Sequence, residues 1–304
     1  MTEEDLGYLH GAVTALPTPF RDGVLDLQGL DALVQHQARQ RTSAIVVGGA
    51  TGEGWSLEVD EIGQLVARAV AGAAERSDYR LRVLFGVSEA STERAATVAR
   101  NAAVAGADAL LISAPPYVLP DPRGMIEHLR RIQDALPSEL PMVTLNEPER
   151  TGTDLTPEAL ASIVDAVPSV VAHCEAVGRP ARARTLAGEL SVPLLAGDDR
   201  LIGPMVRAGA VGAVTVVGNL VPGELASFLE AARADSPEAD GLERKLAPLV
   251  DALRLCTNPV PLKGALAALG AIRPDVRAPL LPLDTRQRTA LERSLTAARL
   301  LVPS

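Results

Sequence analysis

The densest group of residues able to do chemistry in this chain is the stretch 45–54, IVVGGATGEG. An apolar, β-branched run (Ile45, Val46, Val47) enters Gly48, Gly49, Gly52 and Gly54, with Ala50, Thr51 and Glu53 set among them. A buried strand that runs into a glycine-rich turn and then a helix leaves several backbone N–H groups aimed at one spot, which suits a carboxylate or phosphate. The plain alternative is a tight turn whose glycines only satisfy φ > 0, and these residues alone leave both readings open. Arg150, in Asn146-Glu-Pro-Glu-Arg150-Thr-Gly152, could grip a substrate carboxylate bidentately. It could equally be a surface arginine bonded to Glu147 or Glu149. Tyr117, held out by the prolines of Ser113-Ala-Pro-Pro-Tyr117, could relay a proton or be a rim aromatic.

Short apolar runs alternate with longer amphipathic ones along the chain. Strands are expected at 11–16, 44–47, 81–87, 107–112, 141–145, 169–173, 192–196 and 212–217. Helices are expected at 27–40, 59–75 (Ser56 as N-cap), 95–105, 124–135, 157–166 (capped by Thr156), 180–190 and 222–234. About eight strand–helix units of this length indicate a parallel sheet, and closure into a (β/α)8 TIM barrel is the most economical arrangement. An open doubly wound sheet would carry GxGxxG at its first strand-to-helix turn, and this chain does not. Further helices at 241–255, 261–269 and 285–301 read as a C-terminal helical extension, giving a barrel over 1–235 and an extension over 236–304. In a barrel the site lies at the C-terminal strand ends. These ends carry Thr18, the 48–54 turn, Ser88, Tyr117, residues 146–152, 174–178, 197–199 and 215–219.

Composition narrows the function classes. Hydrophobic residues make up 47% of the 304 and aromatics only 2%, so the core must be packed with small and branched aliphatic groups. The net charge of -9 argues against a nucleic-acid or anionic-membrane partner. Two cysteines, Cys174 and Cys256, are too few for a disulfide framework or a cysteine zinc cluster. His10, His36, His128 and His173 show no ligand spacing, so neither metal nor cofactor is expected. The acidic start MTEEDLGYLH has no apolar run and no segment is long enough to span a bilayer, so a cytoplasmic protein is expected.

GGATGEGWSL, ALPTPF, NEPERTG, LLAGDD and NPVPLK together resemble, in order and spacing, the motifs of the dihydrodipicolinate synthase and N-acetylneuraminate lyase family. The resemblance runs from about Gly11 to Leu301. It implies a (β/α)8 barrel with a helical extension, assembled as a homodimer or a homotetramer built from two dimers. It also implies a small carboxylate or α-keto acid, typically pyruvate, bound at the glycine turn and attacked by a Schiff-base lysine.

The family's lysine ends the sixth strand in a motif like G-I-K-E-A; here the residues are Ala172-His173-Cys174-Glu175-Ala176. Cys174 stands at the lysine position, Leu145 at that of the catalytic tyrosine, and Ala50 at that of the relay hydroxyl, followed by an intact Thr51-Gly52-Glu53. Tyr117 matches the tyrosine given across the dimer interface, Arg150 the arginine for the second substrate's carboxylate, and Val214 an aliphatic residue of the keto-acid pocket. Of the only two lysines, Lys263 matches one the family has elsewhere and Lys245 falls in the extension. A thiol cannot form a protonated imine, and leucine neither donates nor accepts a proton. Cys174 as a nucleophile would need a lowered pKa and a base. Its neighbour His173 points to the other face of a strand, so a buried structural cysteine is the favoured reading. Glu147, at an otherwise apolar family position, is the best-placed acid or base near the pocket. The sequence therefore points to a divergent lyase working without an imine through Tyr117, Arg150 and Glu147 or Cys174. A non-catalytic carboxylate binder or oligomeric scaffold is the alternative.

Overall fold

In the computed structural model of the chain, residues 4–75 and 79–301 are described. The first three residues, on which part of the N-terminal reading rests, lie outside them.

Eight parallel strands close into a barrel: β1 (Ala12–Ala15), β2 (Ala44–Gly48), β3 (Arg82–Val87), β4 (Ala109–Ser113), β5 (Met142–Asn146), β6 (Val170–Glu175), β7 (Leu194–Ala196) and β8 (Gly212–Thr215). Each pairs with the next in sequence, and β8 returns to β1 through Ala12↔Ala213 and Val13↔Val214. Side chains alternate between two apolar layers, as a period of two requires. Val13, Val46, Leu84, Leu111, Val143 and Leu195 fill the barrel interior. Their neighbours Ile45, Val47, Val83, Phe85, Ile112 and Leu194 meet the surrounding helices. Burial on both faces is why the strands read as near-continuous apolar runs.

The helices around the barrel are α1 (Leu27–Arg39), α2 (Val59–Ala73), α3 (Thr92–Val104), α4 (Pro122–Ala135), α5 (Pro157–Ala166), α6 (Pro180–Glu189), α7 (Ile202–Arg207) and α8 (Pro222–Arg233). Their starts are fixed by local chemistry. Asp26, Ser91, Asp121 and Thr156 each accept from a backbone N–H of the first turn. The expected Ser56 cap for α2 is corrected: Ser56 ends a 3-10 turn, Gly54–Ser56, and Glu58 is the N-cap. There the Glu61 carboxylate accepts from the Glu58 N–H at 3.0 Å, a reciprocal arrangement that outcompetes a hydroxyl two residues earlier.

Two other departures from the expected boundaries bear on the site. β6 runs on to Glu175, two residues past the expected end, because Leu145↔Cys174 and Asn146↔Glu175 remain in register with β5. The 146–152 loop contains one helical turn, Pro148–Thr151, ended by Gly152 at φ +77. The extension comprises α9 (Ala239–Ala252), α10 (Val260–Ala268) and α11 (Thr285–Ala297). It reaches back to the turn after β2 through Asn258, Lys263 and Arg277. No helix among the described residues is long and apolar enough to cross a membrane.

Candidate active site

The turn after β2 folds on itself. The N–H groups of Gly49, Gly52, Glu53 and Gly54 go to the carbonyls of Gly86, Gly48, Ala50 and Gly49, at 3.1, 3.0, 3.3 and 2.8 Å. This corrects the expectation of several converging amides: only those of Ala50 and Thr51 have no backbone partner among the described residues, and both residues line a cavity. The tight path requires glycine by conformation at Gly48 (φ +72) and by space at Gly52, where a Cβ would stand 2.5 Å from the Gly48 nitrogen and oxygen. The tight-turn reading of these glycines therefore holds. The turn is pinned by Thr18 Oγ1, which donates to the Gly52 carbonyl at 2.6 Å, and by Asn258 Nδ2, which donates to Thr51 Oγ1 at 2.8 Å.

Behind the turn lies a fully buried ion pair, Glu53–Lys263. Lys263 Nζ also donates to the Asp275 carbonyl at 2.8 Å and sits 4.3 Å from the centre of the Phe20 ring. Burial pulls its pKa down, and Glu53 opposes that shift. This ammonium is committed to the scaffold, and Lys245 is exposed on α9.

Two cavities share a wall at the C-terminal ends of the strands. The inner one, about 100 Å³, is lined by Ala50, Thr51, Ser88, Ser113, Leu145, Cys174 and Val214 among others. The outer one, about 120 Å³, is lined by Arg150, Asp198, Asp199, Arg254 and neighbouring residues. Glu147, Gly197, Val214, Val216 and Asn258 border both. No lysine lines either.

Register puts Ser113, Leu145 and Cys174 side by side at one level of the barrel, through Ser113↔Leu145 and Leu145↔Cys174. The Cys174 thiol is fully buried, and burial raises its pKa well above the ordinary range, with the Glu175 and Glu147 charges adding to the effect. His173 turns the other way, its Nδ1 2.8 Å from Thr144 Oγ1, so no Cys–His dyad forms. Burial also raises the Glu147 pKa, opposed by Arg150, whose Nε donates to Glu147 Oε1 at 3.0 Å. Arg150 thus pairs with Glu147 and lines the outer cavity at once. Tyr117 is not brought to this group within one chain. It is 94% exposed at φ +74, beside exposed Val118 and Leu119, and lines neither cavity.

Several contacts of the site could not be read from the sequence, although Ser88, Asp199 and Asn258 fall in stretches singled out above. Asn258 comes from the extension, Arg254 from the end of α9, and the Ser88–Ser113 hydroxyl pair depends on the pairing of β3 with β4. Asp199 accepts from Thr215 Oγ1 and the Val216 and Val217 amides, while burial raises its pKa. Among the described residues, no group of three His, Cys, Asp or Glu side chains could hold a metal ion.

The model of the dihydrodipicolinate synthetase family matches residues 8–298. The chain belongs to this family. The 4-hydroxy-tetrahydrodipicolinate synthase of Stenotrophomonas maltophilia is 37% identical over 288 residues, 93% of this chain and 94% of that one. The enzyme of the same name from Pelobacter propionicus is 35% identical over 285 residues, covering 92% and 96% of the two chains. The crystal structure of the chloride-inhibited dihydrodipicolinate synthase from Acinetobacter baumannii, complexed with pyruvate, superposes with a TM-score of 0.90 at 31% identity. It covers 96% of this chain and 100% of that one.

Within this family member the thiol's burial has a direct consequence. A thiol reagent is expected to titrate only Cys256 in the native protein, and both cysteines after denaturation. Rapid reaction of both in the native state would show Cys174 to be open and return it to the list of nucleophiles.

Proposed function

We propose that this family member binds a small carboxylic or α-keto acid at the Ala50 and Thr51 amides and acts on it as a lyase without a lysine imine. The observation that carries the reading is Cys174. A buried thiol occupies the end of β6, while Lys263 is held by Glu53 and Lys245 is exposed on α9. Val214 lines both cavities, and Gly52, which lines neither, folds the turn that presents Ala50 and Thr51. Glu147, on the wall between the two cavities, is the acid–base group, because a carboxyl whose pKa is raised by burial can exchange a proton nearer neutral pH. Arg150 offers a guanidinium to a second carboxylate in the outer cavity. Tyr117, exposed beside Val118 and Leu119, is assigned to the site of a neighbouring copy in a homodimer or homotetramer.

With pyruvate and borohydride the protein is expected to gain no mass, and a lysine adduct would overturn the imine-free reading. Pyruvate is expected to raise the melting temperature, and Gly52→Ala, which opens the turn carrying the Ala50 and Thr51 amides, to cancel most of that rise. A second reading, a carboxylate binder with no turnover, is favoured by Leu145 and Ala50, which leave the inner cavity without the family's proton relay. Keto acids that bind yet stay unchanged by NMR over long incubation would select it.

A further inference from the structure

Most of the inner cavity wall is apolar: Val46, Leu111, Leu145 and Val214 line it, together with a thiol that burial keeps protonated. Against this background two hydroxyls face each other. Ser113 Oγ donates to Ser88 Oγ at 2.8 Å and has a second acceptor, the Ala114 carbonyl, at 3.3 Å. Ser88 lies one residue past β3, the strand hydrogen-bonded to β2. Gly86 of β3 packs so closely on the cradle that a Cβ there would stand 2.6 Å from Gly49 Cα. Ser88 therefore follows the strand next to β2, one sheet spacing of about 5 Å from the strand that leads into the Ala50 and Thr51 amides, and Ser113 backs it from the strand beyond.

A small acid with its carboxylate on those amides has its C2 substituent next in line. We propose that Ser88, backed by Ser113, holds the substrate's C2 oxygen and makes the site selective for 2-oxo acids over unsubstituted acids. The inference rests on the carboxylate reading of the cradle given above. A hydroxyl has one proton to donate and two lone pairs. While Ser113 donates to Ser88, the Ser88 proton is free for a carbonyl oxygen. When Ser113 turns to the Ala114 carbonyl, Ser88 can donate to Ser113 and accept from a C2 hydroxyl. The pair thus serves both a 2-oxo and a 2-hydroxy acid, and has nothing to bond in an acid with a bare C2. A donor fixed in an apolar wall also polarises a carbonyl, the service an imine would otherwise give.

Calorimetric titration with pyruvate, lactate and propionate tests the assignment. The wild-type protein is expected to bind pyruvate about tenfold tighter than propionate, with lactate between them. Ser88→Ala should bring pyruvate to within about twofold of propionate and leave propionate affinity unchanged. Ser113→Ala, which keeps Ser88 but frees it to rotate, should lose part of the preference and provides an independent arm should Ser88→Ala fail to fold. A full pyruvate preference surviving in either folded variant would overturn the proposal. If propionate binds but wild type shows no preference, the Ser88 assignment alone falls. If none of the three acids binds, the carboxylate reading fails and this inference falls with it.

Discussion

Glu53→Ala is expected to lower stability by about 3–5 kcal/mol, because it strands a buried ammonium. Lys263 is completely buried, with the Glu53 carboxylate as its charge partner and the Asp275 carbonyl as its other acceptor. The same carboxylate accepts from the Arg277 N–H at 2.9 Å, so the substitution orphans a second donor. Chemical denaturation is the measurement, and a cost under about 1 kcal/mol would mean that the ammonium reaches water. The double variant Glu53→Leu with Lys263→Met should recover much of the loss, since replacing a buried pair by apolar groups is often neutral. Glu53 also sits in the turn itself, at φ +51. The single variant should therefore weaken pyruvate binding even where it folds.

Gly52→Ala is expected to cost about 3 kcal/mol and to abolish carboxylate binding. The added Cβ would meet the Gly48 nitrogen and oxygen at 2.5 Å and its Cα at 2.8 Å. Those are backbone atoms, so relief requires opening the 3.0 Å bond from the Gly52 N–H to the Gly48 carbonyl, which shapes the cradle. Gly63, inside α2, is the control. A Cβ there meets nothing within 4 Å, and Gly63→Ala should stabilise by about 0.5–1 kcal/mol while leaving binding intact. Wild-type stability and affinity in Gly52→Ala would show the turn to be looser than its hydrogen bonds imply.

The barrel was largely legible in the sequence. Pro157, Thr156 and the apolar pattern place α5 to the residue, and the alternation of runs gives all eight strands. Strand ends were less legible. The extension of β6 through Cys174 and Glu175 follows from pairing with β5, which no local propensity encodes. The glycine turn was half legible. Glycine content announces a tight turn, yet which amides stay free depends on bonds such as Gly49 N–H to the Gly86 carbonyl, 37 residues away in sequence.

What the sequence determined by itself is chemical identity. A thiol, a leucine and an alanine stand at Cys174, Leu145 and Ala50, and only two lysines exist. These facts limit the available chemistry whatever the fold. The tertiary structure alone decided adjacency. It buried Cys174, locked Lys263 onto Glu53, set Glu147 between two cavities and turned Ser88 toward Ser113. It also left Tyr117 outside the site of its own chain. The physical reason is that a residue's type fixes what its side chain can donate, accept or carry. Closure of the barrel brings strand ends remote in sequence to one mouth, and only there do desolvation and hydrogen-bond partners fix which of those capacities remain free.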